Sequence, residues 1–245
     1  MAIRVATSGA VADSAILARM NRLQYDTSAD DPAYDGTAQL ATRSYAGVFG
    51  WTMGLVGIAL AFLAIGAYLG RDLAHGPAMA CSLAGIGMLL VSSFGGRRFR
   101  VGRFAMGWLF ATAAAMGLGL GPILQYYASV EPGVLAEALV GTVATVIGMG
   151  ALGTLLGKDL APWMRPVSLI VFLLCGVAIV WSLIAGPLNP FMSLLIFGMS
   201  ALLLVIDFNY LRKHATEGDA IWLATGIFVS IVNIFLSLLN LLSGD

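Results

Sequence analysis

Long apolar runs alternate with short polar connections along most of the chain. Seven runs lie at approximately residues 46–69, 78–95, 104–125, 133–156, 166–186, 190–211 and 220–242. Each is close to the length of about 20 residues that a helix needs to cross the hydrocarbon core of a membrane. The runs are continuously apolar rather than alternating, which favours helices over the strands of a β-barrel. The pattern predicts an all-α, polytopic membrane protein built as a bundle of seven transmembrane helices.

The residues before the first run have a different character. Residues 1–45 are polar and mixed in charge, and they contain the stretch "TSADDPAYDGT". Low apolar content of this kind is typical of flexible segments. We therefore expect a flexible cytoplasmic tail over residues 1–45 and a seven-helix membrane domain over residues 46–245.

Composition supports the membrane class and narrows the partners. The chain is 59% hydrophobic and 11% charged, with a mean hydropathy of +0.90. Soluble domains are usually about 25% charged. The formal net charge is zero, so no nucleic-acid partner is expected. The composition indicates the lipid bilayer as a partner, and we expect the protein in the cell (inner) membrane.

The basic residues predict the orientation of the bundle. If the N-terminus is cytoplasmic, twelve of the 13 Lys and Arg residues lie on the cytoplasmic side, and only Arg71 lies outside. Cytoplasmic loops of membrane proteins carry an excess of Lys and Arg. We therefore predict a cytoplasmic N-terminus and, with seven spans, a C-terminus outside.

An aspartate interrupts the sixth run. Asp207 stands in "LLLVIDFNYLRK", residues 202–213. An ionised aspartate at the centre of a membrane helix costs roughly 2.5–3.5 kcal/mol, and less near an interface. Asp207 can serve as a structural end to the helix, reaching toward Arg212 or Lys213 as charge partners. Alternatively it marks a proton or ion path inside the bundle, where intramembrane acids usually face.

The seventh run carries a polar face. Its small and polar residues are spaced by four, three, four and three, which places them on one side of a helix: Gly226, Ser230, Asn233, Ser237 and Asn240. A short loop makes the sixth helix the natural neighbour of this face. Two interpretations remain open, namely hydrogen bonds that hold helices together and a polar cavity with Asp207 on one wall.

Other candidate residues are fewer. Glu137, near the outer start of the fourth run, is a further candidate site, although an acid near an interface is usually only solvated. His75 and His214 fall on opposite sides of the membrane, and Cys81 and Cys175 fall inside apolar runs. No metal site can be assigned from these residues, and the chain contains no HExxH, CxxC or P-loop motif. We therefore do not expect an enzyme. Residues 220–242 also lack the lysine that a retinal protein needs.

Small residues suggest where helices approach one another. In the third run Gly107, Ala111, Ala115 and Gly119 recur every four residues, and Gly50 and Gly54 form a GxxxG pattern in the first. Such faces let helix backbones come close together in lipid. They predict packing faces on these two helices.

Four stretches resemble the Bax inhibitor family, the transmembrane Bax-inhibitor-motif proteins, in a bacterial-type form. The similar stretches are "GWLFATAAAMGLGLGPIL" (107–124), "ALVGTVATVIGMGALGTLLGKDLAPW" (138–163), "MSALLLVIDFNYLRK" (199–213) and "IFVSIVNIFLSLLNLL" (227–242). The aspartate before an aromatic in the third stretch is the family's hallmark in its sixth helix. The resemblance extends over about residues 43–243 and agrees in helix order, spacing and count.

The resemblance implies an ion leak that responds to pH, with calcium as the ion. In the family, two aspartates on the sixth and seventh helices share a proton. Asp207 matches the first of them, whereas Ser230, three residues before Asn233, stands where the second is expected. Serine cannot share a titrating proton, and calcium prefers six to eight oxygens, often from several carboxylates. The expected ion-binding or gating residues are thus Asp207, Ser230 and Asn233, with Ca²⁺ as a permeant or weakly bound ion.

Two functions are therefore expected from the sequence. The first is a passive ion leak in which Asp207 is the gate or the ion site. The second is a membrane interaction protein that modulates a membrane protease or a stress response without conducting ions, as the resemblance to bacterial members implies. In the second, the tail and the cytoplasmic loops would contact another membrane protein, and Asp207 would be structural.

Overall fold

The computed structural model describes residues 32–184 and 189–244. By its contacts the chain divides into two units, Met1–Ala46 and Gly47–Asp245, and the second unit holds the helical bundle. Of the first unit, the structure describes the beginning of the first helix, from Pro32. Of the tail expected over residues 1–45, residues 1–31 lie outside the described residues.

Seven long helices account for most of the described chain. We number them in chain order: α1 (Pro32–Gly70), α2 (His75–Phe94), α3 (Arg103–Val130), α4 (Pro132–Leu155), α5 (Ala161–Ile184), α6 (Pro190–Lys213) and α7 (Ala220–Leu242). Each contains a stretch long and apolar enough to cross a membrane; in α1 this stretch is Ala46–Gly70. Short 3₁₀ turns precede α3 and α7, at Gly96–Phe99 and Glu217–Asp219. The prediction of seven membrane-spanning helices is confirmed.

Local signals set the ends of the last helices. The side chain of Asn189 accepts a hydrogen bond from the Phe191 backbone N–H at 3.0 Å, and Pro190 occupies the first helical position. Proline is favoured there because its missing N–H would have no partner. After α6, the Asp219 carboxylate accepts hydrogen bonds from the Thr216 backbone and hydroxyl. This capping box closes a tight turn, so α6 and α7 run antiparallel.

The last two helices form the centre of the bundle. In α6 and α7, 56% and 50% of the most apolar stretch is buried inside the protein, against 11–28% in the other five spans. The outer helices expose large apolar side chains such as Ile147 and Leu155, which suit contact with lipid. The helix with Asp207 and the helix with the predicted polar face are therefore the two most buried spans of the bundle.

Small residues bring α1 and α3 into backbone contact. A Cβ at Gly117 would collide with the carbonyl oxygen of Leu63, and a Cβ at Gly66 would lie 2.5 Å from the Ala114 carbonyl oxygen. Gly121 similarly meets the backbone around Ala67. Such close approach is a common way to associate helices in lipid, where the hydrophobic effect contributes little.

The predicted packing faces were largely wrong in position. Around Gly50, Gly54 and Gly107, no described atom outside the local helix lies within 4 Å of an added Cβ. In the predicted α3 row, Gly119 makes a close contact with Ser82 of α2, whereas Ala111 is exposed. The reason is geometric: steps of four residues drift by about 40° around a helix of 3.6 residues per turn. A row of four such residues therefore does not stay on one face.

Gly117→Ala tests the α1–α3 contact. The added methyl group meets backbone atoms that cannot rotate away, so we expect the free energy of unfolding to fall by about 1–3 kcal/mol. Thermal unfolding in detergent measures the loss. Gly107→Ala, in the same helix but with open space around it, is the matched control and should show no loss. Equal stability of the two variants would contradict the assigned contact.

Candidate functional site: a polar seam between the last two helices

Asp207 lies inside the bundle against the last helix. Its side chain is only 4% exposed. A Cβ built at Gly226 of α7 would stand 3.3 Å from Asp207 Oδ2, so the carboxyl group fills the space that the missing side chain leaves. Asp207 lies five residues before Arg212, about 7.5 Å from that end of the helix.

A second contact fixes the register of α6 against α7. The Ser193 hydroxyl donates a hydrogen bond to Asn240 Oδ1 at 2.7 Å. Ser193 lies 14 residues before Asp207 on α6, and Asn240 lies 14 residues after Gly226 on α7. Because the two helices are antiparallel, both contacts belong to the same register. Halfway between the two contacts, Ser200 is therefore level with Asn233.

These residues form one continuous polar seam along the α6–α7 interface. The polar seam consists of Ser193, Ser200 and Asp207 on α6 and Ser230, Asn233, Ser237 and Asn240 on α7. Ser200 and Ser230 are both 0% exposed. From the level of Asp207 to that of Ser193 the seam extends about 21 Å along the helix axes, at 1.5 Å per residue. It thus spans much of a hydrocarbon core about 30 Å thick.

We call the part of the seam from Asp207 to Asn233 its inner half. It holds buried polar atoms without a protein partner among the described residues. Among the described residues these atoms are Ser200 Oγ, Asp207 Oδ2, Ser230 Oγ and Asn233 Nδ2. The Asn233 side chain also interacts with the Cys175 thiol of α5. Three expected site residues, Asp207, Ser230 and Asn233, therefore line one seam, and Ser200 joins them.

Arg212 and Lys213, the expected charge partners of Asp207, bind other groups in the structure. Arg212 Nη2 donates a hydrogen bond to the Leu156 carbonyl oxygen at 2.9 Å, and Lys213 Nζ donates to the Gly157 carbonyl oxygen. Within the described ranges, the ion pairs are Arg71–Asp72 and Asp159–His214, and neither includes Asp207. Five residues correspond to a rotation of about 140° around the helix, which turns Arg212 away from the seam.

Glu137 does not join the seam. It is exposed, near the start of α4. The opposite end of α4 contacts α6, because a Cβ at Gly153 would lie 3.0 Å from Phe208 Cβ. Gly153 is sixteen residues from Glu137, or about 24 Å along the helix. The structure therefore places this acid far from Asp207.

Asn209 is a buried polar residue that the sequence interpretation missed. It is 0% exposed, and its side-chain amide donates to the carbonyl oxygens of Gly153, Leu156 and Lys158 at 3.1–3.2 Å. Its Oδ1 accepts from the Leu160 backbone N–H at 2.9 Å. One side chain thus satisfies four backbone groups at the connection between α4 and α5. A usable signal was its position two residues after Asp207, on the other side of the helix, because such a helix needs protein on both faces.

The end of α6 holds the same connection with three further side chains. Arg212 and Lys213 bind its carbonyl groups, and His214 Nε2 lies 2.9 Å from Asp159 Oδ2. We call Asn209, Arg212, Lys213 and His214, together with residues 156–160, the loop clamp. Asn209 is its buried centre, and its charged members lie at the surface. The clamp begins only two residues beyond Asp207.

Within the loop clamp, Asp159 is held in its charged form. Its Oδ1 accepts a hydrogen bond from the Ala161 backbone N–H at 3.0 Å, and this bond is the largest cause that lowers the pKa of Asp159. The contact with His214 and the charge of Lys213 lower the pKa further. The start of α5 therefore favours the carboxylate, as expected for an acid that caps a helix.

The chemistry open to the seam is limited by its donors. Nowhere in the described parts of the chain do three His, Cys, Asp or Glu side chains come together as a metal site. The seam offers one carboxyl group, serine hydroxyls and asparagine amides, which can exchange hydrogen bonds and weakly coordinate a passing cation. It offers no activated nucleophile of the kind a hydrolase needs.

Asn209→Ala tests the centre of the loop clamp. The change removes the side-chain partner of the Gly153 and Lys158 carbonyl groups and of the Leu160 N–H, while the Leu156 carbonyl keeps its bond from Arg212, so we expect the free energy of unfolding to fall by about 2–4 kcal/mol. Arg212→Ala removes one exposed hydrogen bond and should cost about 1 kcal/mol or less. Thermal unfolding in detergent compares the two. A larger loss in Arg212→Ala would contradict the central role of Asn209.

Acid should loosen the loop clamp through Asp159. Because the pKa of Asp159 is lower in the folded protein, its contribution to stability is complete above the ordinary value of about 3.9 and is lost as the pH falls through the folded value. Hydrogen exchange of residues 156–161, followed from about pH 6 to about pH 2, should show opening at the acid end. Asp159→Asn should lack this component; an unchanged pH response in that variant would disprove the assignment.

One known protein family matches the part of the chain that forms the helical bundle. The family model described as "Bax1-I: Inhibitor of apoptosis-promoting Bax1" matches residues 47–245, which include nearly all of the first membrane span and the other six. No curated protein matches the chain significantly. Because the family match covers most of the chain, including the polar seam and the loop clamp, the protein belongs to the Bax inhibitor family.

Proposed function

We propose that the protein is a passive ion leak of the cell (inner) membrane, with the polar seam as its path and Asp207 as its pH-dependent site. The observation that supports this most is the position of Asp207: a buried carboxyl group, without an ion-pair partner among the described residues, at one end of a buried polar seam. Acids in such positions in membrane proteins commonly serve ion or proton paths.

Asp207 is the one acidic residue of the seam. Helix α7 contains no ionisable residue, and the one acid of α4 is Glu137 at the far end. Helix α5 contributes the Cys175 thiol beside Asn233 and the exposed Arg165. On α6 itself, Tyr210, Arg212 and Lys213 follow Asp207. Gain or loss of one proton on Asp207 therefore sets whether the seam carries a negative charge.

The proposed orientation places this site near the cytoplasm. With the N-terminus cytoplasmic and the C-terminus outside, as the distribution of Lys and Arg favours, the loop clamp lies at the cytoplasmic surface. Asp207, about 7.5 Å from Arg212, would then respond to cytoplasmic pH.

Calcium is the ion that family membership suggests. With the oxygen ligands of the seam, it would be a permeant ion and not a tightly bound one. Calcium takes six to eight oxygen ligands, often with several carboxylates. The seam supplies a single carboxylate, and the serine Ser230 stands where the resemblance leads us to expect a second. Ca²⁺ would therefore be bound weakly and briefly, as conduction requires.

Asp207→Asn tests the proposed leak. The protein is reconstituted in liposomes that contain a calcium dye, and calcium uptake is recorded from about pH 6 to about pH 8. In the wild type we expect protein-dependent uptake that changes with pH. Because an amide cannot lose a proton, the variant should show one rate at every pH, equal to that of the protonated wild type. Asp72→Asn, an exposed loop change, is the matched control and should behave as the wild type.

Lack of calcium uptake at every pH, from protein shown to be folded, would contradict the calcium leak. The second proposal would then be preferred, namely that the protein modulates a membrane protease or another membrane protein without conducting ions. Deletion of residues 1–40 would then abolish function in cells, whereas Asp207→Asn would only lower stability.

A further inference from the structure

Two buried serines depart from the way this protein satisfies its other hydroxyl groups. Hydroxyls within a helix commonly donate to the carbonyl group four residues earlier. Thr52, Thr112, Thr142 and Thr225 do so, at 2.7–2.8 Å. Ser200 and Ser230, both fully buried, have no hydrogen-bond partner among the residues that the structure describes. Their hydroxyls therefore remain available for a ligand within the seam.

The unpartnered atoms are arranged as a line. Asp207 lies at the level of Gly226, Ser230 is four residues further along α7, and Asn233 and Ser200 share a level three residues beyond. At 1.5 Å per residue, the steps are about 6 Å and about 4.5 Å, and the whole line is about 10.5 Å long. None of these atoms is hydrogen-bonded to another among the described residues.

We propose that the inner half of the polar seam binds a file of about three buried water molecules between Asp207 and Asn233. Each water would contact seam groups that both donate and accept: the serine hydroxyls, the Asp207 carboxyl group and the Asn233 amide. A buried polar group without a partner costs about 1–3 kcal/mol, so Ser200 Oγ, Ser230 Oγ and Asp207 Oδ2, which have no partner among the described residues, favour a bound polar ligand.

Water fits the seam better than a single resident cation. Ligands of one cation lie within about 2.6 Å of it, whereas the unpartnered atoms extend along about 10.5 Å of helix. Gly226 lets the Asp207 carboxyl group lie directly against α7, since a Cβ there would stand 3.3 Å from Oδ2. This inference concerns hydration of the seam and holds whether or not the protein conducts ions.

Hydroxyl-radical footprinting of cysteine variants tests the proposal, because radicals generated by X-rays from bound water oxidise only nearby side chains. Ser230→Cys and Ser200→Cys change one atom in the seam. Thr112→Cys is the matched control, since Thr112 is equally buried in α3 and its hydroxyl is satisfied within its helix. In folded protein in nanodiscs, with both native cysteines replaced, we expect the two seam thiols to be oxidised several-fold faster than the control.

Oxidation of both seam thiols at the rate of the control would overturn the proposal. Thermal unfolding of Ser200→Ala gives a second reading that needs no thiol. If water binds there, removing the hydroxyl should lower the melting temperature; if the seam is dry, removing an unsatisfied group should raise it. Neither measurement depends on ion flux, so failure of the proposed leak and failure of this inference can be told apart.

Discussion

The structure depends on one constraint: inside a membrane, every buried polar group must find its partner within the protein or in bound water. Helix α6 carries Asp207 and Asn209 on opposite sides, so neither side can face lipid. The burial of α6 and α7 at the centre of the bundle follows from this. The outer helices are free to be apolar or small, and their backbone contacts, as at Gly117, complete the shell around the polar centre.

The same helix joins two polar environments of different kinds. On the side of α7, Asp207 faces the seam, in which Ser200 Oγ and Ser230 Oγ have no partner in the described part of the chain. On the side of α4 and α5, Asn209 satisfies four backbone groups and holds their connection to the end of α6. The first environment can rearrange its hydrogen bonds, whereas the second is fully bonded. The fully bonded environment therefore begins only two residues from Asp207, on the opposite side of the same helix.

Features that depend on the periodicity of residues along the chain could be predicted from the sequence. Features that depend on which helix or loop lies opposite a residue could not. Seven apolar runs gave the seven helices, and the spacing of polar residues in α7 gave the face that meets Ser193 of α6. The partners of Arg212 could not be deduced, because they are backbone carbonyl groups that any sequence would supply. Gly117 could not be told from Gly107, because close approach depends on which helix lies opposite. Asn209 was missed because the neighbouring aspartate drew the interpretation to one face.

A single carboxyl group gives the seam a simpler electrostatic behaviour than a pair would. Two carboxyl groups held close together share a proton because both cannot easily be ionised. With Ser230 on the facing helix, Asp207 has no such competitor there, and the seam has only two charge states. With the proposed water molecules bound, the hydroxyl, amide and carboxyl groups would form one continuous line of hydrogen bonds in the neutral state. In the charged state the line would end on an anion, which would attract cations to that end. In the proposed function, one proton on Asp207 would therefore control both the hydration of the polar seam and its affinity for cations.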